Sequence, residues 1–177
     1  VYYYNKDAFR KAGAKAPATW PEFLEQGAKL KGNKMPLKVV GVRGGWPAAF
    51  YGSAYMYAAA GSRYREALEG KATWLDPKME EGLKALKSLV DLGYTNPDPL
   101  ALNAQQEQEE FFQGKSVSIF RPDGFFGQIK GTKPAFEVGF YPRPLINPGS
   151  DIKIFGGVGV SWVVFAGTKD REGALKF

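Results

Sequence analysis

Residues 37–61 read LKVVGVRGGWPAAFYGSAYMYAAAG, and the change of character along this stretch decides the fold. Residues 37–42 are a short apolar run of strand length, which reads as a buried strand. A glycine-rich turn follows and holds Trp46 and Pro47. From there the chain reads as a helix carrying Phe50, Tyr51, Tyr55, Met56 and Tyr57 before it meets Gly61. Strand, turn and helix in direct succession are the unit of α/β layered domains. Aromatic residues that come out of such a turn onto the first turn of a helix stand at a rim, where they can face a ligand. Tyr55 and Met56 lie further in and read as core.

Working outward, the same alternation continues in both directions. Residues 1–4 (VYYY) read as a strand, and Asn5 can cap a short helix that stops at Gly13. Thr19, Trp20, Pro21 and Glu22 have the spacing of a capping box, opening a helix to about Lys31 that Gly32 ends. Residues 61–73 read as a polar connection. Asp76-Pro77 opens the clearest helix, with Met79, Leu83, Leu86 and Val90 on one side and Gly93 after it. Asn103 can cap a helix to Gln113, and residues 115–120 alternate as a strand. Arg121-Pro122-Asp123-Gly124 is a turn, followed by a helical turn or two from Phe125. Phe136, Val138 and Phe140 alternate as another strand. Residues 158–166 are a nearly unbroken apolar run that reads as a fully buried strand, and Thr168 can cap a last helix. The expected fold class is therefore α/β: a mixed, mostly parallel sheet with helices on both faces.

Composition narrows the chemistry. The chain has 177 residues, enough for one domain with a substantial core. It contains 22 Gly and 12 Pro, which predicts a loop-rich domain. There is no Cys and no His, so cysteine nucleophiles, Ser-His-Asp triads, His-ligated zinc and thiolate metal sites are excluded, and no cofactor is expected. The net charge of +6 is spread without a basic stripe, which is a solvated surface and not a nucleic-acid face.

Two turns are the strongest site candidates: Gly44–Tyr51, with Trp46, Phe50 and Tyr51, and Arg121–Phe126, with Arg121, Asp123, Phe125 and Phe126. Each follows an expected strand and precedes a helical turn. Ligands of open α/β sheets bind outside the carboxyl ends of strands, so the two turns could share one crevice. Aromatic faces beside one acid suit a sugar, which has an apolar face and a hydroxyl rim. Packing of the aromatics in the core, and Asp123 bonding its own turn backbone, are the competing readings. Arg43 and Arg121 could pair with hydroxyls or acids, or be exposed. Gly156 and Gly157 could admit a ligand or a neighbouring backbone. A glycosidase would need two facing carboxylates, and residues 41–61 contain no acid to face Asp123, so an enzyme is not expected.

Three segments carry a resemblance. YYNKDAFRKAGAKAPATWPEFLEQGAKL resembles the start of the second lobe of bacterial ABC-transporter extracellular solute-binding proteins, in the sugar-binding group similar to maltose-binding protein. FFQGKSVSIFRPDGFFGQI is similar to that family's helix, strand and aromatic turn, and GGVGVSWVVFAGTKDREGALKF to the segment returning to the first lobe. The resemblance implies one lobe of a two-lobe periplasmic-binding-protein-like fold, with residues 1–157 as the second lobe and 158–177 crossing back toward a missing first lobe. It implies a sugar ligand held between lobes, a membrane permease as partner, and a periplasmic or extracellular location with a lipoprotein anchor conceivable in the parent. Trp46, Phe50 and Tyr51 would lie where the family's second lobe presents an aromatic, and Asp123, Phe125 and Phe126 at its sugar-stacking turn, where Phe replaces the family's frequent Trp. Gly156 and Gly157 would approach the hinge. The apolar run 158–166 would fold back on this domain's sheet or exchange with a second copy. A carbohydrate-active enzyme or accessory module remains an alternative, as does a same-fold binder of a polyol phosphate or a polyamine.

Overall fold

The computed structural model describes residues 1–147, 149 and 163–176. Its sheet centres on β1 (Tyr2–Asn5), flanked by β2 (Ser118–Phe120) and β3 (Val138–Tyr141) in the order β2-β1-β3. Both ladders are antiparallel, pairing Tyr2 with Phe120 on one side and with Tyr141 on the other. Alternation sends neighbouring tyrosines to opposite faces. Tyr2 stacks on Tyr141 at 5.2 Å and touches Phe23 and Phe120, while Tyr3 meets Phe125 edge-on at 5.2 Å.

Helices cover both faces, as expected. The Tyr2 face packs against α2 (Trp20–Gly32), α3 (Trp46–Ala60) and α5 (Pro77–Asp91) through Phe23, Leu30, Tyr51, Ala54, Tyr55 and Leu89. The Tyr3 face packs Val39, Phe111, Ile119 and Phe125 against α6 (Ala104–Phe112) and α7 (Phe125–Thr132). Helix starts follow the sequence signals. Asn5 Oδ1 accepts from Ala8 N at 2.9 Å to open α1 (Lys6–Lys11). Thr19 and Glu22 close a capping box on α2, and Asn103 with Gln106 closes a second on α6. The α3 helix is apolar nearly all round, which suits a helix buried between sheet and α5.

Five expectations change. The parallel share of the sheet is confined to isolated bridges, Lys38 to Thr95, Lys38 to Ser118 and Thr19 to Leu145, so the sheet is mixed but its ladders are antiparallel. Alternating strands and helices suggest parallel crossovers, yet the pairing partners lie more than a hundred residues apart and local pattern does not name them. Residues 37–42 are extended and buried, but Lys38 N bonds Tyr94 O and Val39 N bonds Ser118 O, while Val40 N bonds the Asn96 side chain. A side chain thus replaces the ladder partner and the strand shrinks to the two bridges at Lys38. The connection after Gly61 contains α4 (Ser62–Leu68), which buries Tyr64 and Ala67 against Met79. In the expected buried strand 158–166, residues 158–162 lie outside the described residues. Val163, Val164 and Phe165 are exposed and irregular. The final helix α8 (Arg171–Lys176) is capped by Asp170, whose Oδ1 accepts from Gly173 N at 2.8 Å, rather than by Thr168.

Candidate functional site

The parallel bridge between Lys38 and Ser118 makes residues 37–40 and β2 run in the same direction, so the turns that follow them leave one edge of the sheet. One turn enters α3 through Gly44 and Gly45, whose φ values of 101° and 86° strongly favour glycine. The other enters α7 through Asp123 and Gly124. Antiparallel β1 begins at this edge, and Tyr3 Oη donates to the Pro122 and Asp123 carbonyls at 3.3 and 3.1 Å. The two candidate stretches meet beneath the surface, where Arg121 Nη1 donates to Tyr51 Oη at 3.5 Å.

Their residues divide by exposure. Trp46 and Phe126, each in the first turn of its helix, are 59% and 51% exposed. Phe50 is half-buried: its ring stacks on Phe120 at 5.2 Å and stands 6.3 Å from the Trp46 ring. Lys130 Nζ lies 4.9 Å from the centre of the Phe126 ring. Asp123 is exposed, and its carboxylate accepts from Gly124 N at 3.0 Å, a bond to its own turn backbone. Arg43 is anchored to Gln106 Oε1 at 2.7 Å.

Tyr51, Arg121 and Phe125 lie elsewhere than expected. Tyr51 is completely buried, because five residues after Trp46 it lies about 140° further round α3 and faces the sheet. Phe125 is 3% exposed, packed between Tyr3 and a stacked Phe112. Arg121 is 3% exposed and turns inward: Nη2 donates to Glu107 Oε2 at 2.7 Å and to Ala104 O at 2.8 Å. None of the three meets solvent; they support the rim from below. Gly156 and Gly157 lie outside the described residues.

Two residues escaped sequence reasoning. Glu107, fully buried, binds Arg121 through one oxygen and accepts the Tyr51 hydroxyl with the other. Burial pushes its carboxyl up, against the pull of Arg121. The signal was available: Glu107 stands four residues before Phe111, on the face of α6 that enters the core. Lys38, also fully buried, lies 3.8 Å from the centre of the Tyr51 ring. Burial draws its ammonium down to about 7, opposed by Glu107. A lysine inside the run LKVV was the clue. Two hollows of about 740 and 640 Å³ open elsewhere, between α6 and α7 and at the α3–α4 junction; neither is lined by Trp46 or Phe126.

A rim of two exposed aromatics over a tightly bonded floor offers flat apolar contact beside an acceptor. Among the described residues it brings no second carboxylate beside Asp123, since Glu107 is paired with Arg121 beneath the surface. A profile of bacterial extracellular solute-binding proteins matches residues 1–177. The chain belongs to that family. A binding protein of Brucella abortus (strain 2308) is 31% identical over 177 residues, covering 98% of this chain and 42% of its own length. The multiple sugar-binding protein of Streptococcus mutans serotype c is 26% identical over 186 residues, covering 99% and 43%. Among solved structures, a chitin oligosaccharide binding protein superposes with a TM-score of 0.78 at 29% identity, covering 85% of this chain and 39% of that one. This solute-binding family member thus spans about two fifths of the relatives it matches, and its α/β architecture is theirs.

Proposed function

We propose that this chain is the second lobe, residues 1–157, of the solute-binding component of an ABC importer, and that it forms one wall of a sugar-binding cleft. The observation that carries the reading is the pair Trp46 and Phe126, exposed at neighbouring helix starts on one sheet edge. Trp46 and Phe126 stack on pyranose faces, Phe50 backs Trp46, and Asp123 accepts from hydroxyls. Tyr51, Arg121 and Phe125 hold these groups in place. Gly156 and Gly157 lead toward the hinge, and residues 158–177 cross to the other lobe or, without it, pair with a second copy. In the parent, ligand closes the lobes and the closed form docks on a membrane permease, outside the cytoplasmic membrane and with or without a lipid anchor. The ligand is bound and released unchanged.

One wall supplies part of the contact. A micromolar site is worth about −8 kcal/mol, and half of that corresponds to roughly millimolar binding. Chemical-shift titration of the full chain with laminaribiose, raffinose and chitobiose is expected to show millimolar affinity centred on Trp46. Trp46→Ala removes it, and Asp123→Asn weakens it without any turnover being gained or lost. Micromolar affinity, or binding indifferent to Trp46→Ala, refutes this assignment. Selective binding of sn-glycerol 3-phosphate instead transfers the site to a polyol phosphate.

A further inference from the structure

Beneath the rim lies a charged group that ligand contact does not use. Lys38 is wholly buried, and its Nζ has no hydrogen-bond partner among the described residues. Four aromatic rings surround it: Tyr51 at 3.8 Å, Tyr55 at 5.4 Å, Tyr2 at 5.5 Å and Phe120 at 5.6 Å. An ammonium in this cage keeps a cation–π attraction but satisfies none of its three donors, whereas a neutral amine is far less costly there. Tyr51 links the cage to the rim. Its ring covers Nζ, and its hydroxyl donates to Glu107, which holds Arg121 at 2.7 Å. Tyr51 lies on α3 behind Trp46, and Arg121 opens the turn that carries Asp123 and Phe126. A displacement at Nζ therefore reaches Trp46 along α3, and the turn carrying Phe126 through two hydrogen bonds, Tyr51 to Glu107 and Arg121 to Glu107.

We propose that Lys38, Tyr51, Glu107 and Arg121 form a proton-operated positioning network: the uncharged Lys38 amine holds the rim as described, and protonation loosens it. The consequence for ligand rests on the reading of that rim as a sugar wall; the network itself does not. The groups facing Lys38 are Tyr2 from β1, Tyr51 and Tyr55 from α3, Glu107 from α6, Arg121 after β2 and Arg143 after β3. Burial raises the tyrosine hydroxyls, Tyr55 to about 12, so they stay neutral through the relevant range. Burial lowers Lys38 to about 7, Glu107 opposes it, and Arg121 and Arg143 add to it. Besides Lys38, two groups nearby are shifted toward this range: Glu107, pushed up by burial, and the Val1 ammonium, lowered to about 6 first by burial.

The test is 19F spectroscopy of the full chain labelled with 5-fluorotryptophan, with the Trp46 resonance assigned by Trp46→Phe. It is titrated from about pH 5 to about pH 9, a range that spans the lowered lysine value. The Trp46 resonance is expected to move with a midpoint near that of Lys38. Lys38→Met should hold it at its high-pH position throughout, and Glu107→Gln should shift the midpoint downward by removing the carboxylate that favours the charge. A resonance that does not titrate overturns the proposal, and so does one that titrates equally in Lys38→Met, which assigns the transition to Val1 or Glu107. Direct 13Cε titration of the lysines in the unaltered chain covers the case in which a variant fails to fold: if every lysine keeps an ordinary value, the network is refuted. Laminaribiose affinity should fall several-fold below the midpoint. No laminaribiose binding at any pH, with the 19F transition intact, defeats the sugar reading and leaves the network standing.

Discussion

Gly82→Ala is expected to destabilise the chain, although alanine is the better helix former. Gly82 lies within α5 where that helix crosses α3, and an added Cβ would stand 2.4 Å from Tyr55 O, 2.6 Å from Met56 Cα and 2.7 Å from Met56 N. Ordinary carbon contacts begin at about 3.5 Å, so the helices must separate by about 1 Å. The obstructing atoms are backbone and no rotamer change relieves them. Overpacking of this kind costs about 1–3 kcal/mol, occasionally more, against a helix gain of about 0.5–1 kcal/mol. With no escape route the upper part of that range applies, and a net loss of about 2 kcal/mol corresponds to a melting point lower by about 4–8 °C for a domain of this size. Gly52→Ala, across the same interface on α3, meets only Leu83 Cδ2 at an ordinary 3.6 Å and should stabilise by about 0.5–1 kcal/mol. Thermal unfolding followed by far-ultraviolet circular dichroism, with urea titration as a second measure, reads both. If Gly82→Ala melts at or above Gly52→Ala, the close approach of α3 and α5 is wrong.

Other outcomes follow from the same structure. Asn103→Ala removes the acceptor for Gln105 N and Gln106 N and should cost about 1 kcal/mol in urea titration. Leu89→Ala, at a fully buried position, should cost about 2–5 kcal/mol, whereas Leu75→Ala, 90% exposed, should stay within about 0.5 kcal/mol. Glu107→Ala strands the buried Arg121 and should cost about 3–5 kcal/mol; Glu107→Gln, which still accepts, should cost less. Stability should rise with pH between about 7 and 10.5, because across that window the unfolded chain keeps the Lys38 proton and the folded chain has lost it. Lys38→Met should flatten that slope, which denaturant titrations at several pH values would show.

What the sequence determined by itself was local. The caps at Asn5, Thr19 and Asn103, the amphipathic α5, the sheet with helices on both faces and the two aromatic turns could all be read from residue type and spacing, because each depends on neighbours within a few positions. Tertiary structure decided the rest. Strand direction came from pairing β1 with β2 and β3 across more than a hundred residues. Arg121 and Asp123 sit in one turn with similar local signals, yet one is buried and the other exposed, because Glu107 from a separate helix offers an inward partner. Tyr51 and Trp46 are likewise close in sequence and opposite in fate, since the sheet covers one face of α3 and not the start of its first turn. A buried charge is tolerated only where its surroundings are complete, and those surroundings for Lys38 and Glu107 are assembled from β1, α3, α6 and the turn after β2.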